Sequence, residues 1–587
     1  MGKFKRIYIF ILALAICYWA FFHLKNALGG QLSSDLSYQL PNLSAGSEVS
    51  VLVYLKKQAN LKDMLINRNF FDRSQIYRSV LDELRWTADS EQSKFLANLD
   101  SWRKQGKISN LRSFWVANVI AVTGKKEIIE KLAEDPEVEI VYPDYPVELV
   151  APVEERLVTS VTAESDQLQI AIGAKQAWQQ GLTGKGRLVC ILDTGVDGAH
   201  PALVQSWKGA HSALTTSWLD PLGAEFPKDD LGHGTHVAGI ICARTLDDTI
   251  GVAPDAQWIA AAVIDRGTTK EVTISNILSA FQWALNPDGD PNTFEDVPDV
   301  INNSWGFPKN VYPDCEEIFW QAIDNVEAAG VAVVFAAGNE GPDPYTLRLP
   351  ADRSSSPYNS FSVGAVAISD SGFEIAPFSS RGPSRCDTSK AKPELVAPGV
   401  EIYSTYPNGQ YRIMSGTSMA APIVSAAILI LRQLDPEITV EQIKEVLTKT
   451  ASDQGPAGKD NDYGAGVINI AAAVEYWKHI KGWDKPAAVL PQDFRLAQNY
   501  PNPFNAGTSI KYEVKQSGSS TEKVSLKVYN VLGQQVKTLV EEPQATGFYT
   551  VHWDGTDNRG QKMASGVYFY RLQAGDFTQT RKMAFLK

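Results

Sequence analysis

The chain of 587 residues is longer than one hydrophobic core normally organises, so we expect two to four domains. Its formal net charge is −12, with 67 acidic and 55 basic side chains. Beyond the first six residues no block of basic residues occurs, so the sequence lacks the electrostatic pattern typical of nucleic-acid-binding proteins. These properties favour a multidomain protein and argue against nucleic-acid partners.

At the extreme N-terminus, three basic residues precede an apolar stretch at 7–24, and small residues suitable for cleavage follow at 27–29. This order is typical of an export signal, so we predict a signal peptide over residues 1–29. The apolar stretch is long for that purpose, and an uncleaved membrane anchor is the alternative.

Residues 48–150 alternate between strand and helix patterns. The sequence predicts an opening strand in VSVLVYL, one half-buried strand over 113–124, a helix over Lys126–Ala133 and a closing strand in VEIVYPD. We therefore expect a small α+β unit here. An unrelated α+β module of similar topology is the alternative.

Three short strings that lie far apart each carry one reactive side chain, and these are Asp193, His233 and Ser418. The strings are CILDTGVDGAHP at 190–201, GHGTHVAG at 232–239 and GTSMAAP at 416–422. A carboxylate, an imidazole and a hydroxyl are the components that turn a serine into an acyl-transfer nucleophile. Their order along the chain, Asp–His–Ser, is that of subtilisins and differs from the chymotrypsin and α/β-hydrolase orders.

The context of each string supports this chemistry over the alternatives. The apolar run before Asp193 predicts a buried parallel strand, and open α/β sheets hold their sites at the carboxyl ends of such strands. A single DTG lacks the second copy that an aspartic peptidase needs. HGTH lacks the glutamate and the spacing of a zinc-peptidase helix, so we expect His236 to be structural. In VVFAAGNEGP, Asn339 provides an amide suited to stabilising an oxyanion.

Together these strings resemble the subtilisin family of serine peptidases over residues 165–480. The resemblance implies an α/β fold in which a parallel sheet has helices on both faces. It implies that Ser418 is the nucleophile, that His233 is the general base and then acid, and that Asp193 orients the imidazole. Asn339 would join the Ser418 N–H as an oxyanion donor.

The same resemblance assigns substrate contacts and a maturation route. NNSWG is similar to the family's substrate-binding strand, so Ser304, Trp305 and Gly306 are expected to line the primary specificity pocket. VPDVINNSWG and the acidic insert at 286–296 resemble the bacillopeptidase F branch. Residues 48–150 resemble the inhibitor-type prodomain of subtilisins, whose C-terminal tail occupies the active site, so self-cleavage is expected between Val150 and about Asp166.

The resemblance implies no cofactor for catalysis, and it leaves structural calcium open with unknown ligands. Many relatives bind Ca²⁺ in surface loops through carboxylates and carbonyls. The candidates here are Asp247 and Asp248 in one loop, and Asp288, Asp290 and Asn292 in another.

The cysteines fall into two classes once the predicted signal is removed. Cys190 lies in the predicted buried strand and Cys242 in an apolar helix, so both are expected to be small core residues. Cys315 and Cys386 lie in loop-like sequence and could pair in an oxidising compartment, but the sequence does not show that they meet.

Residues 481–493 are polar and contain two prolines, which predicts a linker. After them, residues 494–587 show regularly spaced strands separated by turns, which favours a small all-β Ig-like sandwich. The predicted strands are Thr508–Val514, Lys523–Asn530, Gln535–Val540, Phe548–Trp553, Gly566–Ala574 and Phe577–Phe585. Asp554, Asp557 and Asn558 are explained by turn chemistry more simply than by calcium.

Several phrases of this segment, including LAQNYPNPFN, WDGTDNRG and ASGVYFYRL, resemble the C-terminal sorting domain of type IX secretion cargo. The expected protein is therefore a secreted or cell-surface serine endopeptidase, made as a self-processing zymogen. Its expected partners are protein or peptide substrates, its own prodomain and the type IX machinery. A catalytically inactive binding protein on a peptidase fold is the alternative, and an acid-active sedolisin-type peptidase is a second one.

Overall fold

The computed structural model describes residues 30–44, 46–61, 72–158, 165–245, 248–265, 273–307, 315–354, 360–483, 491, 493–515 and 521–586. The predicted signal peptide and most of the predicted linker lie outside the described residues. The chain divides into two compact units, residues 1–477 and 478–587.

The N-terminal region, residues 30–158, is built on a five-stranded sheet. Its elements are β1 (Gln31–Leu32), α1 (Ser34–Gln39) with a 3₁₀ turn at Leu40–Asn42, β2 (Glu48–Leu55), α2 (Arg73–Lys104), β3 (Ile108–Phe114), β4 (Val119–Lys125), α3 (Lys126–Ala133), β5 (Val138–Pro143) and β6 (Glu154–Leu157). The sheet order is β1–β5–β2–β4–β3, and β6 pairs elsewhere. The opening strand, the helix α3 and the closing strand follow the sequence prediction, whereas β1 extends the sheet to residues before the expected boundary at 48.

The prediction of one strand over 113–124 is wrong, because the chain reverses direction at Trp115–Asn118 and forms the hairpin β3–β4. Asn118 has a positive φ of 45°, a conformation that asparagine tolerates better than most residues. The turn carries apolar side chains because it packs against helices of the central domain. Gln282 accepts a hydrogen bond from the Trp115 N–H at 2.7 Å, and Asn325 donates one to the Val116 carbonyl at 2.7 Å. An apolar, buried turn gives no turn signal in the sequence.

The central domain is organised around a mainly parallel sheet of order β13–β12–β11–β10–β7–β9–β8, with β14 beside β12 and β13 antiparallel at the edge. Its strands are β7 (Leu188–Asp193), β8 (Trp218–Leu219), β9 (Gln257–Ala262), β10 (Val300–Asn303), β11 (Ala332–Ala336), β12 (Phe361–Ser369), β13 (Gly372–Ile375), β14 (Leu395–Pro398), β15 (Ile402–Tyr406) and β16 (Gln410–Ser415). Its helices are α4 (Ser165–Ala171), α5 (Ala174–Gln179), α6 (His233–Cys242), α7 (Ile274–Ala284), α8 (Trp320–Ala328), α9 (Thr417–Leu434), α10 (Val440–Lys449) and α11 (Ile470–Lys481), with 3₁₀ turns at Lys208–Ala210 and Leu214–Thr216.

The central strand β7 is buried along its whole length, as its apolar sequence predicts. Val189 and Ile191 enter the hydrophobic core on one side of the sheet, with α6 and α9. Leu188, Cys190 and Leu192 enter the core on the other side, with α7 and α8. Both faces of the strand are covered by helices, which is why no polar residue alternates along it.

Among the described residues, one helix, α9, is long and apolar enough to cross a membrane, and 89% of its apolar window is buried inside the protein. It is the central helix of the core beside β7.

The C-terminal β domain consists of two antiparallel sheets, β17–β18–β21 and β20–β19–β22–β23, around one core. Its strands are β17 (Arg495–Leu496), β18 (Thr508–Val514), β19 (Glu522–Tyr529), β20 (Gln535–Gln544), β21 (Gly547–Trp553), β22 (Gly566–Ala574) and β23 (Phe577–Phe585). Each predicted strand is present, and β20 is longer than expected. Asp554 and Asp557 accept hydrogen bonds from the amides of their own turns, and Asn558 accepts one from the Thr538 N–H.

The structure joins Cys315 and Cys386 in a disulfide with a Cα–Cα separation of 4.9 Å. The sequence left this pairing open because the two residues lie 71 positions apart. Cys190 and Cys242 are free and buried, as expected, and burial raises the pKa of the Cys242 thiol to about 12.

Candidate active site

Asp193 and His233 are brought into direct contact by the ends of two elements. Asp193 is the last residue of β7, and His233 is the first residue of α6. The His233 Nδ1–H donates to Asp193 Oδ1 at 2.7 Å, and the Thr194 N–H donates to the same oxygen at 2.8 Å. Both side chains are buried, so this hydrogen bond fixes the orientation of the imidazole.

The turn before α6 is held by Asp229, a residue that the sequence analysis missed. Its carboxylate accepts hydrogen bonds from the Gly232 N–H at 2.8 Å, the Thr235 hydroxyl at 2.7 Å and the Thr194 hydroxyl at 2.9 Å. Burial is the main cause that raises the pKa of Asp229. Asp229 accepts from the N–H groups two and three residues later, as in an Asx turn, so the aspartate before the glycine at 232 is a turn signal that could have identified it.

Gly232 is required at the start of α6 for two reasons. Its φ of 90° is in the left-handed region that favours glycine. A Cβ atom at this position would also lie 2.1 Å from the ring of Tyr406. The turn can therefore bring His233 against Asp193 only with glycine at this position.

Ser418 lies in the first turn of the buried helix α9. Its hydroxyl donates to the carbonyl of Val150 at 2.8 Å. His233 Nε2 is buried and has no hydrogen-bond partner among the described residues. The imidazole nitrogen opposite Asp193 is thus available to accept a proton.

Pro422 changes the hydrogen bonding of the Ser418 backbone. Pro422 has no N–H, so it leaves the carbonyl of Ser418, four residues earlier, without its usual helical donor. The Ser304 hydroxyl donates to that carbonyl at 3.0 Å instead. One of the three predicted pocket residues therefore contacts the backbone of Ser418.

Asn339 follows β11 and contacts Thr417, the residue next to Ser418. Its Oδ1 accepts hydrogen bonds from the Thr417 N–H and hydroxyl, both at 2.9 Å. These two bonds orient the amide so that its Nδ2–H donates to the carbonyl of Ala151 at 2.8 Å. Thr417, which the sequence analysis did not single out, thus positions the amide.

A continuous stretch of chain, residues 145–158, runs past these side chains, and we call it the cleft segment. It forms antiparallel bridges from Pro146 to Thr273 and from Leu149 to Trp305. Further along, β6 pairs antiparallel with β16, the strand that leads to Ser418. The segment is therefore held on both sides of Ser418 mainly through its backbone.

The three predicted pocket residues play different structural roles. The backbone of Trp305 forms a bridge with Leu149 of the cleft segment. Its indole is fully buried, donates to Asn303 Oδ1 at 3.1 Å and packs against Phe319 and Phe335. Gly306 accepts a hydrogen bond from Arg348 at its carbonyl.

The calcium candidates receive no support from the geometry. Asp247 lies outside the described residues. Asp288 and Asp290 accept hydrogen bonds from the backbone N–H groups of Asp290 and Asn292, respectively, which is ordinary turn chemistry. Within the described ranges, no group of three or more histidine, cysteine, aspartate or glutamate side chains is arranged to hold a metal ion.

The comparisons with known proteins agree with this geometry. Residues 184–466 match the subtilase family of peptidases. The chain is 35% identical to subtilisin DY of Bacillus licheniformis over 310 residues, which are 52% of this chain and 96% of that protein. The chain belongs to the subtilase family. Its central domain is a subtilisin-like serine endopeptidase domain, and subtilases need no catalytic cofactor.

Longer relatives are similar over more of this chain. Bacillopeptidase F of Bacillus subtilis (strain 168) is 34% identical over 460 residues, which are 73% of this chain and 30% of the relative. The minor extracellular protease Epr of the same strain is 31% identical over 358 residues, 60% of this chain and 49% of the relative. The chain thus spans less than half the length of these two relatives. Residues 499–576 match the FlgD Ig-like domain, in agreement with the predicted Ig-like sandwich.

His236 is fully buried, and its Nε2–H donates to the carbonyl of Arg412 at 3.1 Å. Burial lowers the pKa of His236 from 6.5 to about 3. Below pH 6.5 the unfolded chain therefore binds a proton at His236 that the folded protein does not, so this residue destabilises the folded state progressively as the pH falls toward 3.

We predict that replacing His236 with glutamine makes the acid dependence of stability shallower, by at most about 1.4 kcal/mol per pH unit. The measurement is the thermal midpoint between pH 7 and pH 4, in a Ser418→Ala background that lacks the candidate nucleophile. The matched control is His211→Gln, because His211 is exposed. Equal slopes in His236→Gln and its parent would contradict the prediction.

Proposed function

We propose that this protein is a serine endopeptidase that acts through Asp193, His233 and Ser418. The observation that carries the proposal is the 2.7 Å contact of the buried His233 with Asp193. The Ser418 hydroxyl, on a helix that packs against the helix of His233, donates to a peptide carbonyl. Asn339 holds the next carbonyl of the same peptide. The candidate nucleophile and the amide donor therefore contact neighbouring carbonyls of one polypeptide backbone, which supports the proposal.

In the proposed reaction, His233 Nε2 accepts the proton of the Ser418 hydroxyl as Ser418 Oγ attacks the substrate carbonyl carbon. Asp193 stabilises the resulting imidazolium. The Asn339 amide and the Ser418 N–H at the start of α9 donate to the oxyanion, a contribution worth about 10²–10³ in kcat for one such side chain. His233 then returns the proton to the leaving amine, and water attacks the acyl-enzyme in the same way.

We expect the mature wild-type protein to be labelled by a fluorophosphonate probe and to hydrolyse casein. Ser418→Ala is expected to lose both properties because the attacked hydroxyl is gone. Ser425→Ala is the matched control, since that serine lies two turns further along α9 and donates only to Asn302. Absence of labelling in the folded wild type would favour the inactive binding protein. Full hydrolysis at about pH 4.5 would favour the sedolisin alternative, because a histidine base must be neutral and histidine ordinarily titrates near pH 6.5.

The second part of the proposal is that the N-terminal region is an inhibitory prodomain. Its cleft segment covers Ser418, and its helix α2 docks on the central domain through Arg73, which pairs with Asp299 at 2.7 Å. Tyr77 of the same helix donates to the carbonyl of Leu285 at 2.8 Å. Asp144 accepts hydrogen bonds from the N–H and hydroxyl of Ser275 at the start of α7. A covalently attached segment held in this way blocks access of other peptides.

We expect the enzyme to cut its own cleft segment between Val150 and Ala151, because the Val150 carbonyl is the one that Ser418 contacts. Wild-type protein should then have an N-terminus at Ala151, while Ser418→Ala keeps the N-terminal region attached. The measurement is intact mass and N-terminal sequencing in a host of low protease content, with Ser425→Ala as the control. Normal trimming of Ser418→Ala would show that maturation is not autocatalytic.

The third part concerns export, and it is supported by the N-terminal signal pattern and by relatives such as the extracellular protease Epr. We propose that residues 494–587 act as a type IX sorting domain and that the substrates are proteins or peptides outside the cell. The similarity of several separated phrases to such domains is the basis of this assignment.

In a host with type IX machinery, a chain that ends at residue 493 should accumulate in the periplasm, because the address read at the outer membrane is missing. The full chain should reach the surface or medium and lose its last 90 or so residues, a length that corresponds to one Ig-like domain. The measurement is immunoblotting of fractions, with Ser418→Ala as a control for self-cleavage. Equal export of both chains would contradict the sorting assignment.

A further inference from the structure

Strand β16 pairs along one edge with the part of the cleft segment that follows the proposed cleavage point. Its other edge pairs with β15, and β6 is the third strand of this small sheet. The Val153 N–H donates to the carbonyl of Ser415 at 2.8 Å, and the Val158 N–H donates to the carbonyl of Tyr411 at 3.3 Å. Residues 153–158, the third to eighth positions after the proposed cleavage point, therefore run antiparallel to β16.

Strand β6 contributes no apolar core to this sheet. All four of its residues are exposed. Its departure from β16 therefore costs little apolar burial, and main-chain hydrogen bonds to another extended chain replace the ones it made. After the expected self-cleavage, this edge of β16 is available to the corresponding part of a substrate.

Arg412 of β16 contacts the carboxylate of Glu155 across this edge. In the register of the two strands Arg412 lies opposite Leu157, so Glu155 is its diagonal neighbour on the same face. The side chains of the arginine and the glutamate are only 28% and 35% exposed. Opposite charges that are largely shielded from water attract each other more strongly than fully hydrated ones.

The central domain orients Arg412 independently of the cleft segment. Its guanidinium lies 3.8 Å from the ring centroid of Tyr406, a favourable cation–π contact. The Tyr406 hydroxyl donates to the carbonyl of Leu231 at 2.8 Å, which fixes the ring. The Arg412 carbonyl accepts a hydrogen bond from the His236 Nε2–H at 3.1 Å. The arginine is therefore positioned before a carboxylate arrives, which lowers the entropic cost of binding one.

A second ion pair, on the other face of the same sheet, is more hydrated. Arg156 lies opposite Ile413 and pairs with Glu401 at 3.3 Å. These two side chains are 58% and 61% exposed, and exposed pairs of this kind contribute little to binding. Glu401 is therefore a matched control for a charged residue that contacts the segment but remains in water.

We propose that Arg412, oriented by Tyr406, is a substrate-binding residue that selects an acidic side chain at the fifth position after the cleaved bond. This rests on the proposed peptidase function and on the expected cut between Val150 and Ala151. The substrate chain beyond that bond adds to β16 as an antiparallel strand, and main-chain pairing fixes which side chain reaches the guanidinium. Preferred substrates therefore carry a glutamate in an extended segment downstream of the cut.

The test uses mature wild-type enzyme and three internally quenched peptides with the sequence of residues 146–158. One peptide is unchanged, one has Glu155→Gln and one has Glu154→Gln. The two changed peptides have equal net charge, but Glu154 lies opposite Ser415 on the face away from Arg412. We expect Glu155→Gln to lower kcat/KM by about three- to tenfold, as loss of a partly shielded charge pair predicts, and Glu154→Gln to lower it by less than about twofold.

The enzyme variant Arg412→Met keeps an apolar side chain over Tyr406 but removes the charge. The ratio of kcat/KM between the unchanged and the Glu155→Gln peptides should then fall to about one, whereas Glu401→Gln should keep the wild-type ratio. If Arg412→Met does not fold, the comparison of the two changed peptides in the wild type still decides the matter.

Three results would overturn the inference. The first is equal kcat/KM for all three peptides in the wild type, and the second is a ratio that Arg412→Met leaves unchanged. The third is cleavage of the unchanged peptide only at a bond other than Val150–Ala151, as identified by mass spectrometry, because the register to Arg412 would then be different.

Failure of the proposed function gives a different result. If the wild type is not labelled by the fluorophosphonate probe and cleaves none of the peptides, the peptidase assignment fails and this inference falls with it. If the wild type is labelled but cleaves all three peptides equally, or cleaves none of them, only the role of Arg412 is refuted.

Discussion

The carbonyl of Ser418 is the point on which the arrangement of the site depends. Pro422 deprives it of a helical hydrogen bond, and the Ser304 hydroxyl replaces that bond from the neighbouring strand end. This single hydrogen bond joins the helix that carries Ser418 to the stretch after β10 that pairs with the cleft segment. Because α9 is buried along its length, the position of Ser418 relative to both is set by close packing and not by loop conformation.

The cleft contacts the cleft segment mainly through main-chain pairing. The cleft segment meets Trp305 by main-chain pairing, and β6 continues that pairing along β16. Strand addition of this kind gives affinity for many sequences, whereas selectivity must come from the few places where a side chain is enclosed. Val150 occupies such a place, because its side chain is fully buried.

The sequence was informative where local chemistry dictates position. Asp193 could be placed because an apolar parallel strand delivers its last residue to the carboxyl edge of the sheet, and the strands of the β domain could be placed by alternation and turns. The turn at Trp115–Asn118 and the inward indole of Trp305 could not be placed in this way. Each of these depends on a partner at least thirty positions away that the local pattern does not reveal, such as Gln282 or Phe335.

The apolar pattern of the N-terminal region adds a constraint on how the proposed prodomain could leave. In strand β2, the side chains of Val51 and Val53 enter a hydrophobic core formed within the N-terminal region. Those of Leu52 and Tyr54 enter the core that also contains α7 and α8 of the central domain. Helix α2 is divided in the same way, with its first half in the shared core. Separation therefore exposes one whole apolar face of the sheet to water, which opposes dissociation roughly in proportion to its area. Cutting the cleft segment alone leaves this apolar face buried against the central domain. We therefore expect that the active site is released only when the N-terminal region is unfolded or degraded.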